Sequence, residues 1–380
     1  MHTEPSQIER DLRAWDAIED HRTGSPGDAA TNLWLCEQIA QAGAQADTDW
    51  FDFTQRCPGS AFVSDGEHRV EGLPCFDGPQ RDATPLSGPA GPLGSHAAIA
   101  ICRFPPGGSA ELEAARRRTD HQAIVAISAA QQILPGLAVQ NAESFRQPFG
   151  PPVLQVESQA ARWLLDAADN GGDLELTAQL TAVSGKAANI QTTIPGKHPE
   201  LPTLIIMTPK SAWWTCTAER GGGICAWLTC LRHFAAIRPA RNVMFTANTG
   251  HELSHLGLDH LTDQHPDLIA AAHAWVHLGA NFAARDGQLL WQASDPAWLA
   301  RGQQHIERLT GTPIGLTAVG QRPLGEARNI FDAGGRFVSL LGSNQWFHHP
   351  EDRLRTSVDV DRTARLCNFV VEVADELAGP

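Results

Sequence analysis

Apolar positions along this chain fall into three successive patterns. Ile8, Leu12, Trp15 and Ile18 recur at helical spacing, and the breaker Arg22-Thr23-Gly24-Ser25-Pro26-Gly27-Asp28 follows them. Asp28 is placed to cap a second helix through Leu33, Leu35 and Ile39 that closes near Gly43, and Trp50, Phe51 and Phe53 open a strand. From residue 54 to 185 the pattern changes to short apolar runs at 97–101, 123–127, 153–156 and 174–180, among frequent Gly and Pro, with one helical stretch at 111–118. That predicts a small β-rich module. Beyond it, continuous apolar runs at 204–207, 243–245, 274–278 and 337–341 alternate with helical segments after Gly223 and from His251 onward. Strands buried on both faces read this way, so the fold expected is α/β: a mixed, mostly parallel sheet with helices on both faces. The division expected is 1–53 with 186–380 as the α/β domain, and 54–185 as an insert.

Composition narrows the partners. With 380 residues and 42% hydrophobic content, the chain can bury a large core. A net charge of −14 argues against nucleic acid and anionic membrane surfaces, which select basic faces. No apolar run approaches the roughly 18 residues a membrane helix needs, and the first ten residues are polar, without a signal core. A cytoplasmic protein with reduced cysteines is the expectation; Cys216, Cys225 and Cys230 show no Cys-x-x-Cys spacing. The chain has no tyrosine, so any acid or oxyanion role must fall to other groups.

The stretch Asn248-Thr249-Gly250-His251-Glu252-Leu253-Ser254-His255-Leu256-Gly257 carries the strongest chemical signal. It hands His251 and Glu252 to the carboxyl edge of a strand, where open α/β sheets bind ligands. It also spells His-Glu-x-x-His, the spacing that grips zinc when it lies on a helix. His260 is wrongly spaced for the extended form of that motif, so His255 is expected as a packed, hydrogen-bonded imidazole.

Read with the strand–helix order, three segments give the chain a family resemblance. These are Arg22-Thr23-Gly24-Ser25-Pro26-Gly27, Asn189-Ile190-Gln191-Thr192-Thr193-Ile194-Pro195-Gly196 and His348-His349-Pro350-Glu351-Asp352. The chain resembles the di-zinc aminopeptidases, a family that also holds the glutamate carboxypeptidases and the transferrin receptor ectodomain. The resemblance implies that 54–185 is an insert like the protease-associated domain. It also places Thr208-Pro209-Lys210 at the family's His-x-Asp turn, Glu219 at its bridging Asp and His251 at its general base. Glu252 falls at the adjacent ligand Glu, Gly279 at the second ligand Asp and His348 at the final ligand His. Only Glu252 and His348 keep the family's residue type. Gly279 offers no ligand, and the Lys210 ammonium repels a cation.

The expectation is a hydrolase-like protein acting on a small amide or peptide-like substrate through an altered site. His251, Glu252 and Lys210 are the catalytic candidates. Arg220, Arg328, Trp213 and Trp214 are the substrate-binding candidates, Arg328 as a bidentate grip on a carboxylate. Glu252, His348 and Glu219 are the ligands if one divalent metal, zinc foremost, is kept; with no metal, Lys210 and Arg220 supply the positive field and His251 moves the proton. The glycines Gly221-Gly222-Gly223 offer backbone amides for an anion. A rival expectation is an inactive homologue used for binding or assembly, with Lys210 paired internally to Glu219 or Glu252; a lyase is a third. His273 and His277 read as core or surface histidines. The substrate stays open, and so does self-association.

Overall fold

The computed structural model describes residues 3–105, 108–129 and 136–380. Among them, thirteen strands are hydrogen-bonded into one connected system. In chain order these are β1 (Asp47–Ser64), β2 (Arg69–Pro74), β3 (Leu86–Pro92), β4 (Ile99–Phe104), β5 (Ala123–Ser128), β6 (Val153–Val156) and β7 (Asp173–Ile194), followed by β8 (Leu204–Pro209), β9 (Val243–Asn248), β10 (Ala274–Leu278), β11 (Leu289–Ala293), β12 (Gly315–Thr317) and β13 (Phe337–Gly342).

The α/β half is a mixed sheet in the order β1-β7-β9-β8-β10-β13-β11-β12. The pairs β9–β8, β8–β10, β10–β13 and β11–β12 are parallel; β1–β7, β7–β9 and β13–β11 are antiparallel. Side chains alternate across a strand, so both faces need cover. Leu204 and Ile206 point into a core built with the helices Pro5–Asp16, Pro26–Gln41, Gly222–Ala236 and Val360–Leu377. Ile205 and Met207 point the other way, onto Leu258 and Leu261 of the helix Leu256–Gln264 and onto Ile330. The mixed, mostly parallel sheet with helices on both faces is therefore present, and Leu204–Pro209 and Val243–Asn248 lie side by side in it.

The β-rich half closes on itself. The order β1-β2-β6-β5-β4-β3-β7 returns to β1 through the long β1–β7 pairing, giving a ring of strands filled by Val63, Ile101, Val125, Leu154 and Leu176. β1 and β7 are shared with the α/β sheet and run through without a break. Residues 53 and 54, and 185 and 184, are consecutive rungs of one antiparallel ladder (Phe53↔Gly185, Thr54↔Ser184).

Two local expectations fail for physical reasons. Ser25, and not Asp28, caps the helix Pro26–Gln41, accepting the Asp28 N–H at 3.0 Å, because the Asp28 carboxylate is turned into the core. The helix expected from His251 begins only at Leu256. All eight cysteines are free, and no helix among the described residues is long and apolar enough to cross a membrane.

Candidate active site

The parallel strands β9, β8 and β10 end at one edge of the sheet, bringing together Thr208–Lys210, Asn248–Glu252 and Gly279. The Lys210 N–H donates to the Asn248 carbonyl at 2.7 Å and ties the first two segments. After β9 the chain turns sharply. Gly250 has φ +78°, and a side chain there would meet Leu256 at 2.6 Å. His251–Leu253 form a single 3-10 turn. Ser254 and His255 both adopt left-handed φ, 63° and 60°. That conformation costs a non-glycine residue roughly 1–2 kcal/mol. It swings His255 back over His251, and the two rings stack with centroids 4.9 Å apart. The His-Glu-x-x-His letters thus lie off any helix, which corrects the zincin geometry they spell.

Of the positions where the resemblance puts metal ligands, Glu219, Glu252 and His348 carry ligand-type side chains and Thr208 and Gly279 do not. Lys210 and Asp28 form a buried ion pair, with the Thr249 hydroxyl donating to Asp28 at 3.2 Å. Lys210 therefore pairs with neither Glu219 nor Glu252. Glu252 is fully bonded: Oε1 accepts the Thr23 N–H at 2.7 Å and Oε2 the Ser211 hydroxyl at 2.5 Å. Burial still pushes its carboxyl up, against those two hydrogen bonds. Glu219 Oε1 lies 2.8 Å from Arg220 Nη2 and 3.5 Å from His348 Nε2. Burial raises the Glu219 carboxyl, but the Arg220 guanidinium and His348 outweigh it and hold it at about 2. His348 donates from Nδ1 to the Val139 carbonyl at 2.7 Å, which turns Nε2 toward Glu219. Thr208 bonds the Leu278 carbonyl at 3.1 Å. A side chain at Gly279 would meet Leu341 at 2.7 Å and His277 at 2.8 Å, so no carboxylate fits there without repacking.

These residues do not fit a pair of zinc ions: Lys210 and Arg220 bring two buried cations to this edge, and the matched positions Thr208 and Gly279 carry no ligand. The expected single-metal set, Glu252, His348 and Glu219, is not gathered as one cluster. Among the described residues, potential ligand atoms lying within 4.8 Å of one another gather as His251, His255 and Glu326, and as Cys216, Glu219 and Asp352; Glu252 and His348 join neither group. In the second group Glu219 is already engaged by Arg220, and burial raises the Cys216 thiol.

The opposite side of the same turn is different. His251 Nδ1 is 3.0 Å from Oε1 of the fully buried Glu326, while the His251 ring keeps 11% exposure. His255 Nδ1 bonds Asn329 Oδ1 at 2.7 Å, and the Asn329 amide donates on to Asp259 at 3.0 Å. His277 Nδ1 bonds the Ser339 hydroxyl at 2.7 Å, and its Nε2 is buried without a partner. Burial, then the Arg220 charge, holds His251 well below the usual imidazole range. Burial likewise lowers His255 and His277 to about 3, and it pushes Glu326 up to about 8 against the Arg220 charge. At neutral pH the three imidazoles are uncharged.

The remaining sequence candidates divide. Arg220 is buried, donating from Nε to the Ser211 carbonyl at 3.0 Å, and its Nη1 has no hydrogen-bond partner. Trp213 lines a cleft of about 490 Å³ with Thr23, Phe76, Phe145, Glu252 and Leu253, and its Nε1 donates to Asn141. Trp214 is in a left-handed backbone conformation with Nε1 buried and unbonded. Arg328 lies in a separate surface groove beside His255 and Asn329, paired with Glu143 at 2.8 Å. Gly221, Gly222 and Gly223 are packing positions, where a Cβ would meet Leu12, Ala283 and Thr208 within 3 Å; they offer no anion cradle. Sequence reasoning missed Asp28 as the partner of Lys210 and Glu326 as the partner of His251. Asp28 directly follows the matched entry segment and read as a cap, whereas Glu326 had no spacing signal at all.

No family model matches this chain, and no curated protein does. Solved structures do match in shape. The zinc aminopeptidase BSAP from Bacillus subtilis superposes with a TM-score of 0.77 at 14% identity, over 97% of this chain and 94% of its own. The aminopeptidase from Aneurinibacillus sp. strain AM-1 gives 0.71 at 14% identity, over 100% and 95%. The peptidase M28 precursor from Shewanella amazonensis SB2B gives 0.75 at 13%, over 99% and 97%. Such low identity speaks to architecture alone, and on that the strand order and the superpositions agree: the chain has the fold of the zinc aminopeptidases.

Proposed function

We propose that this protein is a hydrolase of the aminopeptidase fold that works without paired metal ions, on a small amide or peptide-like substrate. The observation that carries the reading is the His251–Glu326 dyad. The buried Glu326 carboxyl group behind Nδ1 fixes the ring, the ring still reaches solvent, and the sequence resemblance gives His251 the place of the family's general base. Once Glu326 ionises, above its raised value of about 8, the carboxylate–imidazole pair takes a proton on Nε2. In the reaction proposed, His251 accepts a proton from water while the water oxygen attacks the substrate carbonyl carbon. The negative charge that develops on the carbonyl oxygen is opposed by Arg220, whose Nη1 is free to donate. His251 then returns the proton to the leaving nitrogen as the carbon–nitrogen bond breaks.

A second reading has its own support. Both Glu252 oxygens are committed to Thr23 and Ser211, and the β-rich half covers this edge through Val139 on His348 and Ala142, whose N–H donates to the Glu252 carbonyl at 2.8 Å. A cleft so saturated suits a binding or assembly protein that has left catalysis.

One experiment separates the readings. Chelator-treated protein is assayed against a panel of aminoacyl anilides and short peptide amides, beside His251→Ala. Turnover that survives chelation and falls on the order of a hundredfold or more in His251→Ala supports the dyad. Absence of turnover across the panel, with specific peptide binding retained, supports the silent homologue.

A further inference from the structure

His251, His255 and Glu326 present ligand atoms that all lie within 4.8 Å of one another, on the side of the turn away from Glu252. We infer that they form a site for one divalent cation of the zinc class, separate from the position of the fold's metal pair. The donor set is two imidazoles and one carboxylate, which suits zinc; bonds of about 2.0–2.2 Å put tetrahedral ligand atoms roughly 3.4 Å apart, so closing the set needs side-chain shifts of an ångström or so.

Independent features point the same way. The Asn329 carbonyl oxygen takes the His255 Nδ1 hydrogen and leaves the Nε2 lone pair to face a ligand; Asn329 is itself held by Asp259. Outer partners of this kind orient metal-binding histidines. Glu326 is buried, with Oε2 making no well-formed hydrogen bond. His277 is a third imidazole with a bonded Nδ1 and a buried, unpartnered Nε2; its ring lies against the backbone at Gly325, where a Cβ would come within 2.8 Å of it. The left-handed pair Ser254 and His255 is strained backbone that serves to stack the two ligand rings. An entry path exists, because His255 and Asn329 line a surface groove with Ser254 and Asp259. The set does not draw on Glu252 or His348.

The inference touches the proposed function only in its consequence. A cation bound here engages the His251–Glu326 pair that moves the proton, so stoichiometric zinc inhibits the hydrolase. Binding itself is read without substrate, which keeps the two proposals separable.

Chelator-treated protein is titrated with Co2+, followed by its visible absorption, and the Co2+ is then displaced by Zn2+. The expected result is one equivalent per chain with the intense absorption of a tetrahedral ion. Affinity should fall at least tenfold in His255→Gln and in Glu326→Gln, and stay unchanged in His348→Gln. Asn329→Ala removes no ligand, only the outer partner, and should weaken binding tenfold to a hundredfold; it serves if a ligand variant does not fold. No saturable binding, or binding lost in His348→Gln and kept in His255→Gln, overturns the site. Zinc that binds as described but raises turnover supports the site and overturns the metal-free hydrolase.

Discussion

Glu252 and His251 are neighbours in the chain, yet the two sides of the turn that carries them have opposite electrostatics. On the Glu252 side, acidic groups are matched by fixed donors or cations: Asp28 by Lys210, Glu219 by Arg220, and Glu252 by Thr23 and Ser211. On the His251 side, Glu326 has a neutral imidazole as its partner, and His277 Nε2 and Glu326 Oε2 lack good partners. A buried charge is tolerated when paired and hydrogen-bonded, and it is costly otherwise. On the first side the charges are paired, although Arg220 Nη1 and His348 Nε2 make no hydrogen bond. On the second the unspent capacity lies on imidazole and carboxyl groups, which can ligate or move protons. Lys210 and Arg220 are the buried cations that pair the acidic groups of the first side.

The comparison breaks most visibly at Lys210. Lys210→Met leaves the Asp28 carboxylate buried and uncompensated and should cost about 3–5 kcal/mol, read as the loss in urea unfolding free energy. Lys210→Met with Asp28→Asn should recover much of it. A loss under ~1 kcal/mol in the single variant would mean the pair is not the structural anchor described.

On the other side, Glu326→Gln should leave stability nearly intact but cut turnover on the order of a hundredfold, because it removes the ionisable carboxyl group that orients His251. Equal turnover in Glu326→Gln and wild type would sink the dyad while leaving the fold untouched.

A histidine buried against Trp15 supplies a further test. His21 stacks on Trp15 at 3.6 Å and has both nitrogens engaged, by Thr31 and by the Trp15 carbonyl. Burial lowers it to about 3. The unfolded chain takes up a proton near pH 6.5 and the folded chain does not, so His21 contributes stability above pH 6.5 that is lost as pH falls toward 3. The slope is on the order of 1 kcal/mol per pH unit. His21→Gln should flatten the acid limb of a melting-temperature profile; an unchanged limb would assign acid sensitivity to other groups.

The smallest effect is expected at Arg328. Its pair with Glu143 is partly exposed, at 27% and 55%. Glu143→Gln should change stability by at most ~1 kcal/mol. If the groove receives a substrate carboxylate, Arg328→Ala should raise KM with little change in kcat; unchanged KM would return Arg328 to the surface.

The apolar pattern was enough to show the strands and the sheet they share, because burial on both faces forces continuous hydrophobic runs at 204–207, 243–245 and 274–278. It also located the sheet edge where His251 and Glu252 lie, since they follow β9 directly. That Lys210 and Gly279 offer no metal ligand was equally legible, as identity alone decides whether a side chain can donate. What each charge pairs with was not. Lys210 meets Asp28 across 182 positions and His251 meets Glu326 across 75, with no spacing rule to announce either. The break in the helix was hidden too, because Ser254 and His255 adopt left-handed backbone only under tertiary packing that propensity does not encode. The sequence determined the sheet and the inventory of charged groups. The tertiary structure alone decided which charges neutralise one another and which remain available, because pairing depends on distance and burial and not on order along the chain.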